Sequence, residues 1–180
     1  MKSFKRHLLD ESARRSLSRI MSHLEGGNVG IISASLKDRS AAENNKHTNE
    51  MEKAIKSSGL AYFRRHGQYE GPKGLEKERS FVVLGKKGND QGQLLNLLKT
   101  QGKLHGQHSI LHKSYDKNDA ELHFLQNDGT NKEGDTMSVG KFHPNHVNPY
   151  GHTVLSKGGG KAGKTPAAFK TFAFEEITNE

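Results

Sequence analysis

The stretch at residues 40–59, SAAENNKHTNEMEKAIKSSG, decides how the chain is laid out. Ser40 followed three residues later by Glu43 is a capping box, in which hydroxyl and carboxylate each satisfy a backbone N–H that the first helical turn leaves orphaned. His47, Met51 and Ile55 then recur at spacings of four and share one helix face. Gly59 supplies the stop, because the left-handed conformation that ends many helices costs glycine no Cβ clash. A helix is expected here, and its neighbours read as strands. Upstream, NVGIISAS (28–35) is a short apolar run of the buried-strand kind; downstream, LAYFRRHGQYEG (60–71) is rich in aromatics, with Gly67 a candidate bulge.

Further along, RSFVVLG (79–85) reads as a strand bounded by a charged loop. A second, short helix centres on Leu94, Leu95, Leu97 and Leu98, with Gly102 near its end. QHSILHKS (107–114) and ELHFLQND (121–128) alternate apolar and polar residues like the two arms of a hairpin. The order is β-α-β-β-α-β, an α+β pattern that a ferredoxin-like sandwich satisfies, with extra C-terminal strands and an N-terminal helix. Three regions follow: an amphipathic leader or helix at 1–27, an α+β domain at 28–128, and a Gly/Lys-rich extension at 129–180. The extension is expected to hold a strand near 137–142 and a last one in AAFKTFAFEEI (167–177) that closes a sheet edge. In the leader, Phe4, Leu8, Leu17, Ile20, Met21 and Leu24 form a stripe with a gap at 10–16, as two short amphipathic pieces would.

Hydrophobic residues make up 31% of the 180, so the core must be small. Without cysteine, the chain has no disulfide, no thiol nucleophile and no thiolate metal ligand. No apolar run approaches the roughly 18–20 residues that span a bilayer, so no membrane partner is expected. The net charge of +8 is unevenly spread: residues 60–115 hold ten basic and four acidic groups, enough to attract phosphates. Arg64, Arg65, Lys103, His105 and His108, with Tyr62, Phe63 and Tyr69 nearby, are the candidates for a nucleic-acid surface, in which aromatics stack on bases and cations follow the backbone.

Two motifs look chemical and lose on context. His143, His146 and His152 fall within ten residues, but two prolines and an asparagine-rich loop would have to gather three rings around one ion, so no metal or cofactor is expected. Gly158 to Thr165 spells a phosphate loop, yet a strand-like segment follows where a helix is needed, and a basic linker fits better. There is no G-x-S-x-G, no H-E-x-x-H and no paired-carboxylate motif, which argues against an enzyme.

Two resemblances add to this. Glu43-Asn44, Gly67 with Tyr69, Glu78 with Ser80-Phe81, and Gly106-Gln107 with Ser109-Ile110 follow a pattern, over residues 29–126, that resembles a small bacterial and phage family of unknown function. The resemblance implies a compact α+β domain with Asn44, Glu78 and Gln107 as its candidate polar site. The opening MKSFKRHLLDES is similar to the leader of internal head proteins of T-even-type phages, through Lys2, Ser3, Phe4, Leu8, Leu9 and Glu11 before Ser12. That resemblance implies targeting to the prohead, with phage prohead proteins and the maturation protease as partners and cleavage between Glu11 and Ser12; His7 and the extra acid Asp10 depart from the pattern. The resulting expectation is a phage accessory protein inside the virion head, whose basic domain tolerates phage DNA. The alternatives are a nucleic-acid-binding or host-interacting regulator in the host cytoplasm, and a small enzyme using Glu78, Gln107 and His108.

Overall fold

The computed structural model describes residues 19–20, 22–71, 74–127, 130–144, 152–154 and 171–174, with side chains described at 19–20, 22–64, 79–127 and 130–141. The leader, with Glu11 and Ser12, and the Gly158 to Thr165 motif lie outside these residues.

Among the described residues, helical residues at 19–20 and 22–24 precede nine strands and two longer helices in the order β1 (Gly27–Ser33), α1 (Ala41–Ser57), β2 (Ala61–Gly71), β3 (Gly74–Lys87), α2 (Gln93–Leu104), β4 (Ser109–Lys113), β5 (Ala120–Phe124), β6 (Thr136–Gly140), β7 (Phe142–Pro144), β8 (His152–Val154) and β9 (Thr171–Phe174). They form one sheet in the order β6-β5-β4-β1-β3-β2-β8-β9-β7. The middle of that order, β4-β1-β3-β2, with every pair antiparallel, is the ferredoxin-like arrangement expected from the sequence. The fold is α+β.

Helix α1 begins as the capping box requires: the Glu43 N–H donates to Ser40 Oγ at 3.2 Å, and the Ser40 N–H donates to Glu43 Oε2 at 2.9 Å. It stops at Gly59, whose φ of +73° is the left-handed region that glycine enters without strain. Helix α2 is capped from a distance. The Asp90 carboxylate accepts from the N–H groups of Gly92 (3.0 Å) and Leu94 (3.3 Å).

Both helices cover one face of the sheet, where Met51, Ile55, Leu94 and Leu98 close over Ile32, Phe81, Val83 and Ile110. The opposite face carries Val29, Val82 and Leu84 under Ile20, with Leu24, Ile31 and Phe63 at its margin. Strand β3 is therefore buried on both sides, which is why SFVVL runs apolar without alternation.

Three strand expectations need correction. β3 starts five residues before Arg79, because Glu76, Lys77 and Glu78 pair with β2 instead of forming a charged loop. Gly67 makes no bulge: one register runs unbroken from Ala61↔Leu84 to Gly71↔Gly74. Register irregularities sit instead in β1, between Gly27 and Val29, and in β5, between Ala120 and Glu121; at the first, the buried Asn28 side chain ties β1 to the end of β3 and to the turn after β4. Asn28 Nδ2 donates to the carbonyls of Lys86 (3.2 Å) and Gly88 (2.8 Å), and its Oδ1 accepts from the Tyr115 N–H (3.0 Å). Finally, β9 lies between β8 and β7, so it does not close the edge. The edge is β7, whose Pro144 lacks the N–H that an inner strand would use.

At Gly30 helix α2 lies close over the sheet, and an added Cβ would run into Leu98 Cδ1. Leu98 is fully buried and has nowhere to retreat. Gly30→Ala is expected to cost about 1–3 kcal/mol of stability by overpacking, seen as a lower urea midpoint at unchanged slope; an unchanged midpoint would contradict this packing.

Candidate functional site

Beyond the end of β1 the chain runs through a loop at residues 34–39 into α1, and the turn between α2 and β4 packs beside that loop. Side-chain hydrogen bonds hold the junction. Asn44 grips Leu36 at both ends, its Oδ1 accepting from the Leu36 N–H and its Nδ2 donating to the Leu36 carbonyl, each at 2.8 Å, and also reaches the Arg39 carbonyl at 3.3 Å. Gln107 Nε2 donates to the Ser35 carbonyl at 3.1 Å. Arg39 spans the same gap, donating to the carbonyls of Ala34 (3.2 Å) and His105 (3.0 Å). Two residues expected to form a polar site, Asn44 and Gln107, thus come together on consecutive loop residues, Ser35 and Leu36.

The third candidate, Glu78, arrives by register. The last β1–β3 pair is Ser33↔Ser80, and Glu78 lies two residues beyond it, on the part of β3 that outruns β1 and pairs with Gly67 of β2. Its side chain and that of Arg65 are outside those described. Arg79, next to Glu78, ties this arm to α1 through a 2.6 Å hydrogen bond to Asn45 Oδ1. All three candidate positions therefore gather at the end of the sheet where α1 begins.

The other sequence-selected cations have varied settings. Arg64 pairs with Glu52, and Lys103 with Glu133. His108 is exposed and meets Phe124 edge to face. His105 is only 1% exposed, and its Nδ1 lies 3.1 Å from His47 Nδ1. Burial, followed by the nearby His47, lowers its pKa and so favours the neutral ring.

Sequence reasoning missed two buried polar groups. Glu52 follows Met51 on α1 and is buried, accepting from Tyr62 Oη (2.6 Å) and Arg64 Nε (3.0 Å). The Arg64 hydrogen bond is the main cause of its lowered pKa, against an opposing cost of burial. This carboxylate is neutralised by its partners and serves to join α1 to β2. The second group is His112 with His123, whose ring centroids are 5.8 Å apart, both rings buried and carrying nitrogens without a hydrogen-bond partner among the described residues, although His123 Nε2 lies 3.9 Å from Glu121 Oε2. Burial, and then the charge of His123, push the His112 pKa down to about 4. Alternation in QHSILHKS and ELHFLQND pointed to a hairpin without giving these histidines a side; His123 pairs with Ile110, on the side where Leu94 and Leu98 of α2 pack.

The model of the S-Adenosylmethionine lyase family matches residues 30–160, from β1 through β8 and including Asn44, Glu78 and Gln107. The chain belongs to the S-adenosylmethionine lyase family. Among solved structures, it is similar to a phage SAM lyase in complex with S-methyl-5′-thioadenosine, at 17% identity, over 64% of this chain and 89% of that chain, with a TM-score of 0.33. No curated protein matches the chain.

Family membership corrects the functional expectations. The pattern over 29–126 belongs to a lyase family, not to one of unknown function. An internal head protein, delivered by a leader cut between Glu11 and Ser12, gives way to an enzyme, and the small-enzyme alternative replaces the virion head-protein reading. Among the described residues, no helix is long and apolar enough to cross a membrane.

The depressed His112 pKa has a consequence for stability. A base whose folded pKa lies below its unfolded value of about 6.5 contributes stability that is present above pH 6.5 and is lost as pH falls toward about 4. His105 and His123 are shifted in the same direction. The melting temperature should therefore drop between pH 6.5 and 4.5, before the carboxylates titrate, and His112→Leu should flatten that drop. An equal drop in the variant would contradict the assignment.

Proposed function

We propose that the protein is a lyase that cleaves S-adenosylmethionine at its sulfonium centre, acting in the cytoplasm of a host cell. The observation that carries this reading is the family match, which extends across the whole of the sheet end where the candidate residues gather. The chemistry asks little of the protein. When a C–S bond of a sulfonium breaks, the electron pair goes to sulfur and a neutral thioether departs. The carbon side is completed within the substrate itself, by loss of a neighbouring proton or by capture by the substrate's own carboxylate. No water, metal or redox partner enters the balance. The expected thioether is S-methyl-5′-thioadenosine, the molecule held by the phage SAM lyase.

The substrate carries a sulfonium and an ammonium, and a chain of net charge +8 needs a local anion to hold them. Glu78 is the acidic member of the three gathered positions, whereas Asn44 and Gln107 hold the neighbouring loop. Glu78 is assigned to the cationic part of the substrate, and Asn44 and Gln107 to keeping the loop in place.

Incubation of the full chain with S-adenosylmethionine should yield S-methyl-5′-thioadenosine without any co-reactant. Glu78→Gln should lower kcat/KM by roughly 10²-fold or more at an unchanged melting temperature. No turnover by the unaltered protein would refute the activity; full turnover by Glu78→Gln would refute the role of that residue alone.

A further inference from the structure

The contact between His47 and His105 invites a question that the lyase reading does not answer: what brings two imidazole nitrogens together, one of them in a buried ring? We propose that His47, Glu50 and His105 form a binding site for a divalent transition metal, with zinc the best fit, that fastens α1 to the end of α2. The two Nδ1 atoms lie 3.1 Å apart, His47 Nδ1 is 3.6 Å from Glu50 Oε2, and one ligand atom from each residue falls within 4.8 Å of the others. Two ligand atoms each 2.0–2.1 Å from a tetrahedral zinc stand about 3.3–3.4 Å apart, so the two sides that meet at His47 are already near the size that an ion requires, and a small side-chain adjustment closes the third. The rings meet at 81° with centroids 5.2 Å apart, which is an edge contact and not a stack.

The ligands come from well-held positions. His47 and Glu50 are three residues apart on α1, the spacing that puts two side chains on one helix surface. His105 closes α2: its N–H donates to the Gln101 carbonyl at 3.0 Å, and its own carbonyl accepts from Arg39. His47 and Glu50, with side chains 29% and 45% exposed, leave a path for the ion to enter and room for water as a fourth ligand. Two imidazoles and a carboxylate suit zinc or a neighbouring transition ion; magnesium and calcium favour all-oxygen sets.

The test uses the full chain, without an affinity tag, stripped with chelator and titrated with zinc chloride by calorimetry. One zinc per chain is expected, with a melting temperature raised by roughly 5 °C or more at a hundredfold excess over Kd. His47→Ala and Glu50→Gln, both at partly exposed positions where the fold tolerates change, should each weaken binding at least tenfold and, at the same zinc concentration, cut the thermal gain by about half or more. A double His143→Ala/His146→Ala variant, which disables the histidine-rich stretch, should bind as the unaltered chain does. Absence of zinc uptake, uptake indifferent to both α1 substitutions, or uptake lost only in the His143/His146 variant would each overturn the proposal.

Discussion

The rest of the structure depends on one strand being buried on both sides. Phe81 and Val83 face the helices, while Val82 and Leu84 face the opposite apolar cluster. A strand with no wet side must sit inside the sheet, so β3 takes β1 on one edge and β2 on the other. Each β-α-β crossover must then step over a neighbouring strand, and both helices land on the same face. The chain's low apolar content suffices because so much of it is spent on this one layer.

The candidate site follows from a mismatch of lengths. β3 has 14 residues and β1 has 7, so β3 continues with β2 as an arm beyond the last β1 pair. The space beside the arm is filled by the loop that leaves β1, by the start of α1, and by the turn after α2. That loop has no ladder of its own. Asn44, Gln107 and Arg39 supply its hydrogen bonds, which makes them structural supports of whatever the arm presents.

Local signals carried much of this. The Ser40/Glu43 box, the His47-Met51-Ile55 stripe and the unbroken SFVVL run are short-range features, and the helix, the central strand and the strand order followed from them. Long-range facts were out of reach. Glu52 is buried because Arg64 and Tyr62 arrive from another strand, and His112 because α2 packs on its side of the hairpin. Glu76 to Glu78 looked like a loop because charges dominate an arm that lies outside the β1 ladder. Asn44, Glu78 and Gln107 stood out through a residue pattern, but the chemistry did not. Cleaving a sulfonium within the substrate needs no metal motif and no nucleophile elbow, so the usual marks of an enzyme are missing. The basic composition and the opening leader then pointed elsewhere, until the family match corrected them.

The central claim is that substrate binds at the sheet end where β3 outruns β1. Hydrogen–deuterium exchange of the full chain, with and without S-adenosylmethionine, tests it most directly when done on Glu78→Gln held at saturating substrate so that turnover is slow. The account expects protection to rise in the loop at 34–39, the first turns of α1 and the turn at 105–108, with β5 and β6 unchanged. Protection confined to β5 and β6, with none around Asn44 and Gln107, would contradict it.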